Sequence, residues 1–371
     1  MKILYLIRES PEEIVSPAYY ELIQELRNKG HEITVANLSG NFLGFKCIKI
    51  SQFKFIDYPF GFVNRYLFSR AVSKSFNQKE FDVVLSSMAE ALYFLSEWNI
   101  PKTAVINDNF SERAKFTPWI GKQFKLSVMV DSFFQRLAMK KADGIIFLNE
   151  EEKKAEEKNT KAKCTAIHNG VFLEKFSAEE NELKKIREEF PQKIVLFLAR
   201  LELQKNPLLF LKAAEKINRK DCVFLIAGKG PMEKKVKAFI EEKNLSGKVK
   251  FLGWVKEKQK NALLSACSVY VLPSLFEPVS VSTLEAMAFS KPVIVSDTGG
   301  LKEIVDSSNG IKVKPNDIEE LVKAVNFLLD NPVKAEKMGL NGFNRIKKEF
   351  LWKNIVEEYI EFFLVLLNER K

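Results

Sequence analysis

The sequence predicts an α/β protein made of two doubly wound domains, each with a parallel sheet covered by helices. Short apolar runs alternate with amphipathic helical patterns, and this alternation breaks near residue 170 before it restarts near residue 194. A chain of 371 residues also exceeds one ordinary hydrophobic core and suits two domains. We therefore expect domains at residues 1–172 and 173–350, facing each other across a cleft that suits a nucleotide-containing ligand.

The N-terminal half opens with a βαβ unit. A buried strand at residues 2–7 precedes an amphipathic helix at about residues 18–28, and a second strand follows at residues 32–36. Further strands are expected at residues 83–86, 103–106 and 144–148, with a long helix at about residues 122–141. The charged run at residues 149–163 predicts a solvated helix and a connection.

The second half repeats the strand-helix pattern. Its strands are predicted at residues 194–199, 223–227, 249–252, 269–272 and 293–295. An apolar helix at about residues 351–368 follows, and we expect the segment 351–371 to pack back onto the N-terminal domain. Glu357, Glu358 and Glu361 interrupt its apolar surface, so we do not expect it to span a membrane.

The composition is that of a soluble globular protein, with 46% hydrophobic and 29% charged residues, which argues against disorder. The first apolar run is cut short by Arg8 and Glu9, which favours a strand over a signal peptide. Four cysteines lie far apart without a Cys-x-x-Cys pair, a pattern typical of reduced thiols. We therefore expect a cytoplasmic location.

The net charge of +10 is concentrated in two stretches, residues 46–79 and 113–141, where basic residues alternate with aromatics such as Phe53, Phe55 and Trp119. Such stretches suit an anionic membrane surface, at the inner face of the cell membrane, or a phosphorylated substrate. Ordinary solvated helix faces explain the pattern equally well. No recognisable nucleic-acid module accompanies the charge, so nucleic acid is not an expected partner.

Two cations, Arg200 and Lys205, lie in the loop after the strand at residues 194–199. Together they could bind both halves of a diphosphate, and the guanidinium adds bidentate geometry. A chance surface pair is the alternative, because the chain has 58 lysines and arginines. After the next strand, Gly228 opens a Gly-Lys-Gly-Pro turn that lets backbone approach a ligand closely, although it lacks the third glycine of a dinucleotide fingerprint.

Two carboxylates lie eight residues apart after the strand at residues 269–272: Glu277 in a loop and Glu285 on the helix that follows. Carboxylates accept hydrogen bonds from sugar and ribose hydroxyls, and amides at a helix start bind phosphates. Two structural alternatives stay open. Glu285 could complete a capping box with Ser282, and Glu277 could be held near the helix N-terminus by the dipole.

In order and spacing, these segments resemble the donor-binding domain of the family-4 (group 1) retaining glycosyltransferases of the GT-B fold. The resemblance covers residues 194–350 and is weaker in the N-terminal half. The matching segments are Leu-Ala-Arg-Leu-Glu-Leu-Gln-Lys-Asn at 198–206, Ala-Gly-Lys-Gly-Pro at 227–231, Phe-Leu-Gly at 251–253, Glu-x7-Glu at 277–285, Gly-Gly-Leu-Lys-Glu at 299–303 and Asn-Gly at 309–310.

This resemblance implies a GT-B fold and a donor site in the second domain. It implies that Arg200 and Lys205 bind the donor diphosphate, with Gly228 beside it. It also implies that Glu277 contacts the transferred sugar and Glu285 the ribose hydroxyls. Backbone at three further donor-binding residues would hold the phosphates: Val279, Ser280 and Val281.

Two features depart from the family pattern in the N-terminal half. The loop at residues 8–17 has no glycine where relatives carry a Gly-Gly pair, and Asn107-Asp108 stands where relatives often have His-Asp. In front-face retaining chemistry the departing phosphate oxygen takes the acceptor proton, so a missing histidine need not abolish activity. Asn107 and Asp108 would then orient sugar or acceptor hydroxyls. The chain has no Asp-x-Asp, so no obligatory metal is expected.

The sequence therefore predicts a retaining glycosyltransferase that moves a hexose from a UDP- or GDP-sugar to a glycan or lipid-linked acceptor, without a cofactor. The alternative is a glycosyltransferase-like protein that binds a sugar nucleotide or a partner without turnover. The two departures in the N-terminal half motivate this alternative.

Overall fold

The computed structural model describes residues 1–7, 18–42, 44–50, 61–106 and 122–370. The chain divides into two compact units. The first contains Met1–Gly170 together with Trp352–Lys371, and the second contains Val171–Leu351. The boundaries predicted from the sequence lie at residues 172 and 350.

The first unit is built on a seven-stranded sheet in which every pair of neighbouring strands is parallel. Its strands are β1 (Lys2–Leu6), β2 (Glu32–Asn37), β3 (Lys46–Lys49), β4 (Val83–Ser86), β5 (Lys102–Ile106), β6 (Gly144–Phe147) and β7 (Lys163–Ala166). The helices described in this unit before residue 170 are α1 (Ala18–Asn28), α2 (Gly61–Ser75), α3 (Lys122–Met139) and α4 (Glu150–Glu156). The strand order is β3-β2-β1-β4-β5-β6-β7.

The second unit has a six-stranded parallel sheet. Its strands are β8 (Lys193–Leu198), β9 (Cys222–Ala227), β10 (Val249–Gly253), β11 (Val269–Leu272), β12 (Val293–Ser296) and β13 (Gly310–Val313), in the order β10-β9-β8-β11-β12-β13. Its helices are α5 (Glu180–Glu189), α6 (Pro207–Lys216), α7 (Glu233–Glu242), α8 (Glu257–Ala266), α9 (Val281–Ala288), α10 (Leu301–Ile304), α11 (Ile318–Asp330) and α12 (Pro332–Glu349). Both sheets have the doubly wound order, so the predicted fold class is confirmed.

Three strands that the sequence pattern did not indicate, β3, β7 and β13, all lie at sheet edges. They are four residues long and only partly buried, and each contains a lysine. Edge strands commonly carry lysine, which discourages pairing with another chain. The central strands are buried on both faces, and this is why they read as continuous apolar runs.

The last helix, α13 (Trp352–Asn368), belongs to the first unit and packs against α1. Trp352 is 1% exposed, and its indole Nε1 donates a 2.8 Å hydrogen bond to the carboxylate of Glu21 on α1. Tyr359 and Phe363 are fully buried on the same helix face. Of the helices in the described ranges, none combines the length and the apolar character that a bilayer crossing requires.

Within each sheet the strand order reverses at one point, between β1 and β4 in the first unit and between β8 and β11 in the second. Loops that leave two such strands run to opposite sides of the sheet, and this opens a crevice at the carboxyl ends of the strands. In the second unit this crevice lies between the loop that carries Arg200 and Lys205 and the loop that carries Glu277.

Candidate functional site

Lys205 is positioned by the sharp connection between β8 and α6. It ends a short 3₁₀ turn, Leu203–Lys205. The next residue, Asn206, has a φ of 52° in the left-handed region, which asparagine tolerates better than most residues. Pro207 then begins α6, where its missing amide hydrogen costs nothing. The sequence Lys-Asn-Pro therefore fixes the point at which the lysine leaves the strand end.

Glu277 is a buried carboxylate in the loop after β11. It is 2% exposed, and its Oε2 accepts a 3.1 Å hydrogen bond from the hydroxyl of Ser274 and forms an ion pair with Lys205 Nζ. The two loops are also joined through their backbones, because the amide of Leu275 donates a 2.7 Å bond to the carbonyl of Gln204. The structure thus brings together Lys205 and Glu277, two residues that are 72 positions apart in the sequence.

A third loop, after β12, fixes the backbone of Glu277. The amide of Gly300 donates a 2.9 Å hydrogen bond to the Glu277 carbonyl. Gly299 has a φ of 49°, and a Cβ atom at this position would lie 2.2 Å from the same carbonyl oxygen. Because neither that conformation nor that distance suits a side chain, the geometry of Glu277 requires glycine at position 299.

Arg200 lies on the same loop as Lys205 but has a different partner. Its side chain is 53% exposed, and one guanidinium nitrogen lies 2.5 Å from the carboxylate of Glu202. The structure therefore holds the two cations on separate carboxylates, Arg200 on Glu202 and Lys205 on Glu277.

Gly228 supports the loop that carries Arg200. Its φ is 144°, and a Cβ atom there would lie 1.9 Å from the carbonyl oxygen of Ala199. Its amide donates a 2.7 Å hydrogen bond to the carbonyl of Gly253, and the next residue, Lys229, accepts a 2.9 Å bond from the amide of Leu201. The close packing of two loops therefore explains the glycine at position 228. The sequence alone did not distinguish this structural role from close approach to a ligand.

The capping-box interpretation of Glu285 is wrong. The N-cap of α9 is Ser280, whose hydroxyl accepts a 3.2 Å hydrogen bond from the amide of Thr283. A capping box requires the carboxylate at the third helical residue, which is Thr283, and Glu285 lies two residues beyond it. Its carboxylate instead forms a 2.7 Å ion pair with Lys260 on α8, with only 13% of the Glu285 side chain exposed. Sequence reasoning did not single out Lys260.

Tyr270 is a second residue that the sequence did not single out. Its hydroxyl lies 3.1 Å from the carbonyl of Leu198 and 2.7 Å from the hydroxyl of Ser282, and the residue is fully buried. Burial raises the pKa of Tyr270 far above the usual range, and the carboxylates of Glu285 and Glu277 raise it further. The sequence did contain one indication of this role, because Tyr270 lies within an apolar strand that is expected to be buried. A buried phenol hydroxyl needs a hydrogen-bond partner.

Tyr270 joins the two halves of the site. Leu198 is the last residue of β8, and Ser282 lies in the first turn of α9. From Ser282 the contacts continue to the Ser280 hydroxyl at 3.3 Å, and Ser280 accepts a 2.9 Å bond from the Thr283 hydroxyl. This chain of hydroxyl groups fixes the start of α9, which contains the predicted Val279–Ser280–Val281 segment, against the end of β8.

In the first unit, Asn107, Asp108 and the loop at residues 8–17 lie outside the described residues. One basic residue of the 46–79 stretch is not a surface cation, contrary to the sequence pattern. Arg65 forms ion pairs with Glu90 at 2.8 Å and with Asp131 at 2.5 Å, and its side chain is only 14% exposed.

Two family models match the chain. Residues 17–175 match the model described as Glycosyltransferase Family 4, and residues 178–345 match the model described as Glycosyl transferases group 1. Together the two matched segments contain nearly all the described strands of both units.

Two curated relatives illustrate the similarity. Alpha-D-kanosaminyltransferase from Streptomyces kanamyceticus is 27% identical over 217 residues, which are 56% of each chain. UDP-Gal:alpha-D-GlcNAc-diphosphoundecaprenol alpha-1,3-galactosyltransferase from Escherichia coli is 33% identical over 202 residues, 50% of this chain and 52% of that protein. The chain thus spans about half the length of these two relatives.

Solved structures share the fold over the full length. Sucrose-phosphate synthase from Thermosynechococcus elongatus has a TM-score of 0.82 at 19% identity, with 99% of both chains covered. Anabaena HepE, solved in complex with UDP-glucose, has a TM-score of 0.75 at 19% identity and covers 98% of this chain and 99% of its own. The GT-B fold that the sequence resemblance implied is confirmed by these neighbours.

Proposed function

We propose that this chain, which belongs to the group 1 glycosyltransferases, transfers a hexose from a nucleoside-diphosphate sugar to a glycan or lipid-linked acceptor. The observation that carries the proposal is the Lys205–Glu277 ion pair at the carboxyl ends of β8 and β11. There a cation and a buried carboxylate lie side by side. A donor with a charged diphosphate and a hydroxyl-rich sugar requires both groups.

In this proposal Lys205 and Arg200 bind the donor diphosphate. The Lys205 ammonium group has three hydrogens, so it can keep its bond to Glu277 and still donate to a phosphate oxygen. Arg200 is half exposed beside Glu202 and can turn toward the second phosphate. Two cations at this position stabilise the negative charge that grows on the diphosphate as it leaves.

The carboxylates and the start of α9 bind the rest of the donor. Glu277 accepts hydrogen bonds from hydroxyls of the transferred sugar, and Glu285, oriented by Lys260, accepts those of the ribose. Ser280 caps the amide of Thr283. The amides that precede Thr283, at the start of the helix, have no acceptor within the helix by its geometry, and they suit phosphate oxygens.

The proposed transfer keeps the anomeric configuration of the donor. The bond between the anomeric carbon and the diphosphate oxygen breaks, and the acceptor oxygen bonds the same face of that carbon. The acceptor proton passes to the departing phosphate oxygen, so the route needs no protein base. Asn107 and Asp108 would orient sugar or acceptor hydroxyls. Because Arg200 and Lys205 carry the charge stabilisation and the chain has no Asp-x-Asp, we propose that no metal is obligatory.

Similar proteins support the choice of substrates. Anabaena HepE was solved with UDP-glucose, and the Escherichia coli relative is named for a UDP-Gal donor and a diphosphoundecaprenol-linked acceptor. We therefore propose a UDP- or GDP-hexose as donor. A lipid-linked acceptor would place the protein at the cytoplasmic face of the membrane, through basic residues of the 46–79 and 113–141 stretches.

The test is release of nucleoside diphosphate from a panel of UDP- and GDP-hexoses, with and without lipid-linked and glycan acceptors. Lys205→Ala should lower the rate by about a hundredfold, because one charge that stabilises the leaving group is lost. Lys216→Ala is the matched control, since Lys216 is half exposed on α6 and pairs with Glu319 on the surface. Equal rates for both variants and the wild type would contradict the assignment of Lys205 to the donor-binding site.

The second candidate is binding without turnover. The loop at residues 8–17 without glycine and Asn107 in place of histidine favour it, because both departures fall in the half of the chain assigned to the acceptor. Calorimetric binding of UDP or GDP, with no release from any donor in the presence of acceptors, would support this candidate. Turnover with any donor would exclude it.

A further inference from the structure

The outer face of α3 carries large apolar side chains in water. Met129 and Phe133 lie one turn apart and expose 53% and 64% of their surface. On the opposite face, Val128, Gln135 and Ala138 are buried against the first unit. The helix is therefore held by one face and presents an apolar ridge on the other.

A basic cavity of about 670 Å³ lies beside Phe133. Two of its cations, Arg136 and Lys140, continue the exposed face of α3. The other two, Lys158 and Lys161, come from the turn that follows α4. Four basic side chains from two segments thus line the same cavity as the exposed ring of Phe133.

The turn is fixed to the helix, so the cavity is a stable feature. The hydroxyl of Thr160 donates a 3.0 Å hydrogen bond to the carbonyl of Met139 at the end of α3. Arg136 forms two hydrogen bonds to the Glu156 carboxylate, at 2.9 and 2.7 Å. Arg136 and the Glu156 carboxylate thereby neutralise each other, and Lys140, Lys158 and Lys161 leave the cavity basic.

We propose that this face docks on an anionic phospholipid bilayer. We call it the α3 surface, and it consists of Met129, Phe133, Arg136, Lys140, Lys158 and Lys161. Exposed aromatic and apolar side chains enter the boundary between headgroups and acyl chains, and lysines beside them are attracted to anionic headgroups. The cavity can accept a phosphate headgroup while Met129 and Phe133 insert next to it.

The α3 surface refines the basic-aromatic stretches seen in the sequence. Lys158 and Lys161 lie outside both stretches. Arg65 lies inside the first stretch, but it is ion-paired with Glu90 and Asp131 and is not part of the α3 surface. A bilayer explains the surface better than an acidic protein or a nucleic acid, because phosphates alone give no reason for two protruding apolar side chains. The inference rests on the proposed function only in that a bilayer is where a lipid-linked acceptor would be found.

The experiment is co-sedimentation of the full chain with vesicles of phosphatidylglycerol and phosphatidylcholine, compared with vesicles of phosphatidylcholine alone. We expect binding to the anionic vesicles that weakens with added salt. Met129→Ser with Phe133→Ser should weaken it about tenfold or more, because two exposed side chains no longer insert. Lys140→Glu with Lys161→Glu should weaken it at least about 25-fold, at about fivefold for each lysine lost.

Matched controls come from the second unit. Val333→Ser removes an apolar side chain that is 79% exposed, and Lys184→Glu reverses a charge whose side chain is 74% exposed. Both should bind as the wild type does. Circular dichroism should be unchanged in every variant, because the substituted side chains are exposed.

The inference is overturned if the wild type does not sediment with anionic vesicles, or if the control variants lose as much binding as the α3 variants. It is also overturned if the charge variants lose binding while the serine variants do not, since Met129 and Phe133 would then not insert into the bilayer. Sugar transfer is measured separately with a water-soluble acceptor. Vesicle binding without sugar transfer would support the α3 surface as a docking site and contradict the proposed function.

Discussion

Lys205 and Glu277 form an ion pair that joins the loop after β8 to the loop after β11, with the carboxylate 2% exposed and the lysine side chain 17% exposed. The Ser274 hydroxyl donates to the same carboxylate oxygen of Glu277. The Gly300 amide binds the backbone carbonyl of Glu277 and therefore does not stabilise the carboxylate charge. A carboxylate so removed from water depends on its cation, because breaking a buried pair leaves an uncompensated charge.

The first prediction concerns stability without ligand. Lys205→Ala should lower the free energy of unfolding by about 3 kcal/mol, because Glu277 is left buried without its cation. The double variant Lys205→Ala with Glu277→Ala should recover part of that loss. Urea unfolding of the two single variants and the double variant measures the coupling. Additive effects would show that the pair is not coupled, and Lys216→Ala should change stability by less than about 1 kcal/mol.

The second prediction concerns the Gly-Gly pair after β12. Gly299→Ala should lower the free energy of unfolding by about 3 kcal/mol or more, because the new Cβ would collide with the Glu277 carbonyl and φ is positive. Gly247→Ala is the control, since a Cβ there meets no atom within 4 Å. Thermal unfolding of both variants checks this. A Gly299→Ala protein as stable as Gly247→Ala would contradict the described geometry.

The third prediction concerns Tyr270. Tyr270→Phe should lower the free energy of unfolding by about 1–3 kcal/mol, because the Leu198 carbonyl and the Ser282 hydroxyl lose a buried partner. The raised pKa of Tyr270 also fixes the sign of a pH effect. The folded state holds the phenolic proton more tightly than the unfolded state, whose tyrosine pKa is about 10.

The stability that Tyr270 contributes should therefore be complete below about pH 10 and decline above it. The difference in unfolding free energy between wild type and Tyr270→Phe, measured by urea titration from pH 7 to pH 11, should be constant up to about pH 10 and then shrink. A difference that grows with pH would show that the hydroxyl is not buried as described.

The fourth prediction concerns Lys260 and Glu285. Glu285→Gln should weaken UDP or GDP binding about tenfold, because a charged acceptor for the ribose hydroxyls is lost. Lys260→Met should weaken it by a smaller factor, because Glu285 keeps its charge but loses the 2.7 Å contact that orients it. Isothermal titration calorimetry compares both with Lys258→Met, an exposed lysine on the same helix. Equal affinities throughout would place the ribose elsewhere.

The fold was largely predictable because its central strands are buried on both faces. Runs such as Val83–Ser86 and Val269–Leu272 leave a continuous apolar signal that turns and helices interrupt. The edge strands β3, β7 and β13 have one side open to water and contain lysine, so their sequences lack that signal. The conformation of such short polar edge strands depends more on pairing with the neighbouring strand than on their own composition.

The residue pattern and the resemblance both singled out Lys205, Glu277 and Glu285, but neither indicated which side chains pair with one another. The sequence pattern suggested Ser282 as the cap of α9, because Glu285 follows it at the capping-box spacing. The structure selects Ser280 and leaves Glu285 to Lys260, which is 25 positions away in the sequence. Contacts between residues so far apart depend on how strands are ordered in the sheet, which local patterns do not contain. The apolar strand signalled that the Tyr270 hydroxyl needs a partner, but not that Leu198, 72 positions away, provides it.

The central claim is that Glu277, which is ion-paired with Lys205, accepts hydrogen bonds from the transferred sugar during the reaction. The most direct measurement compares wild type and Glu277→Gln in two assays, the initial rate of hexose transfer and the calorimetric affinity for the nucleoside diphosphate. We predict that Glu277→Gln lowers the transfer rate by about a hundredfold while the affinity changes by less than about threefold, because the residue contacts the sugar and not the nucleotide. A Glu277→Gln protein that transfers sugar at the wild-type rate would contradict the account.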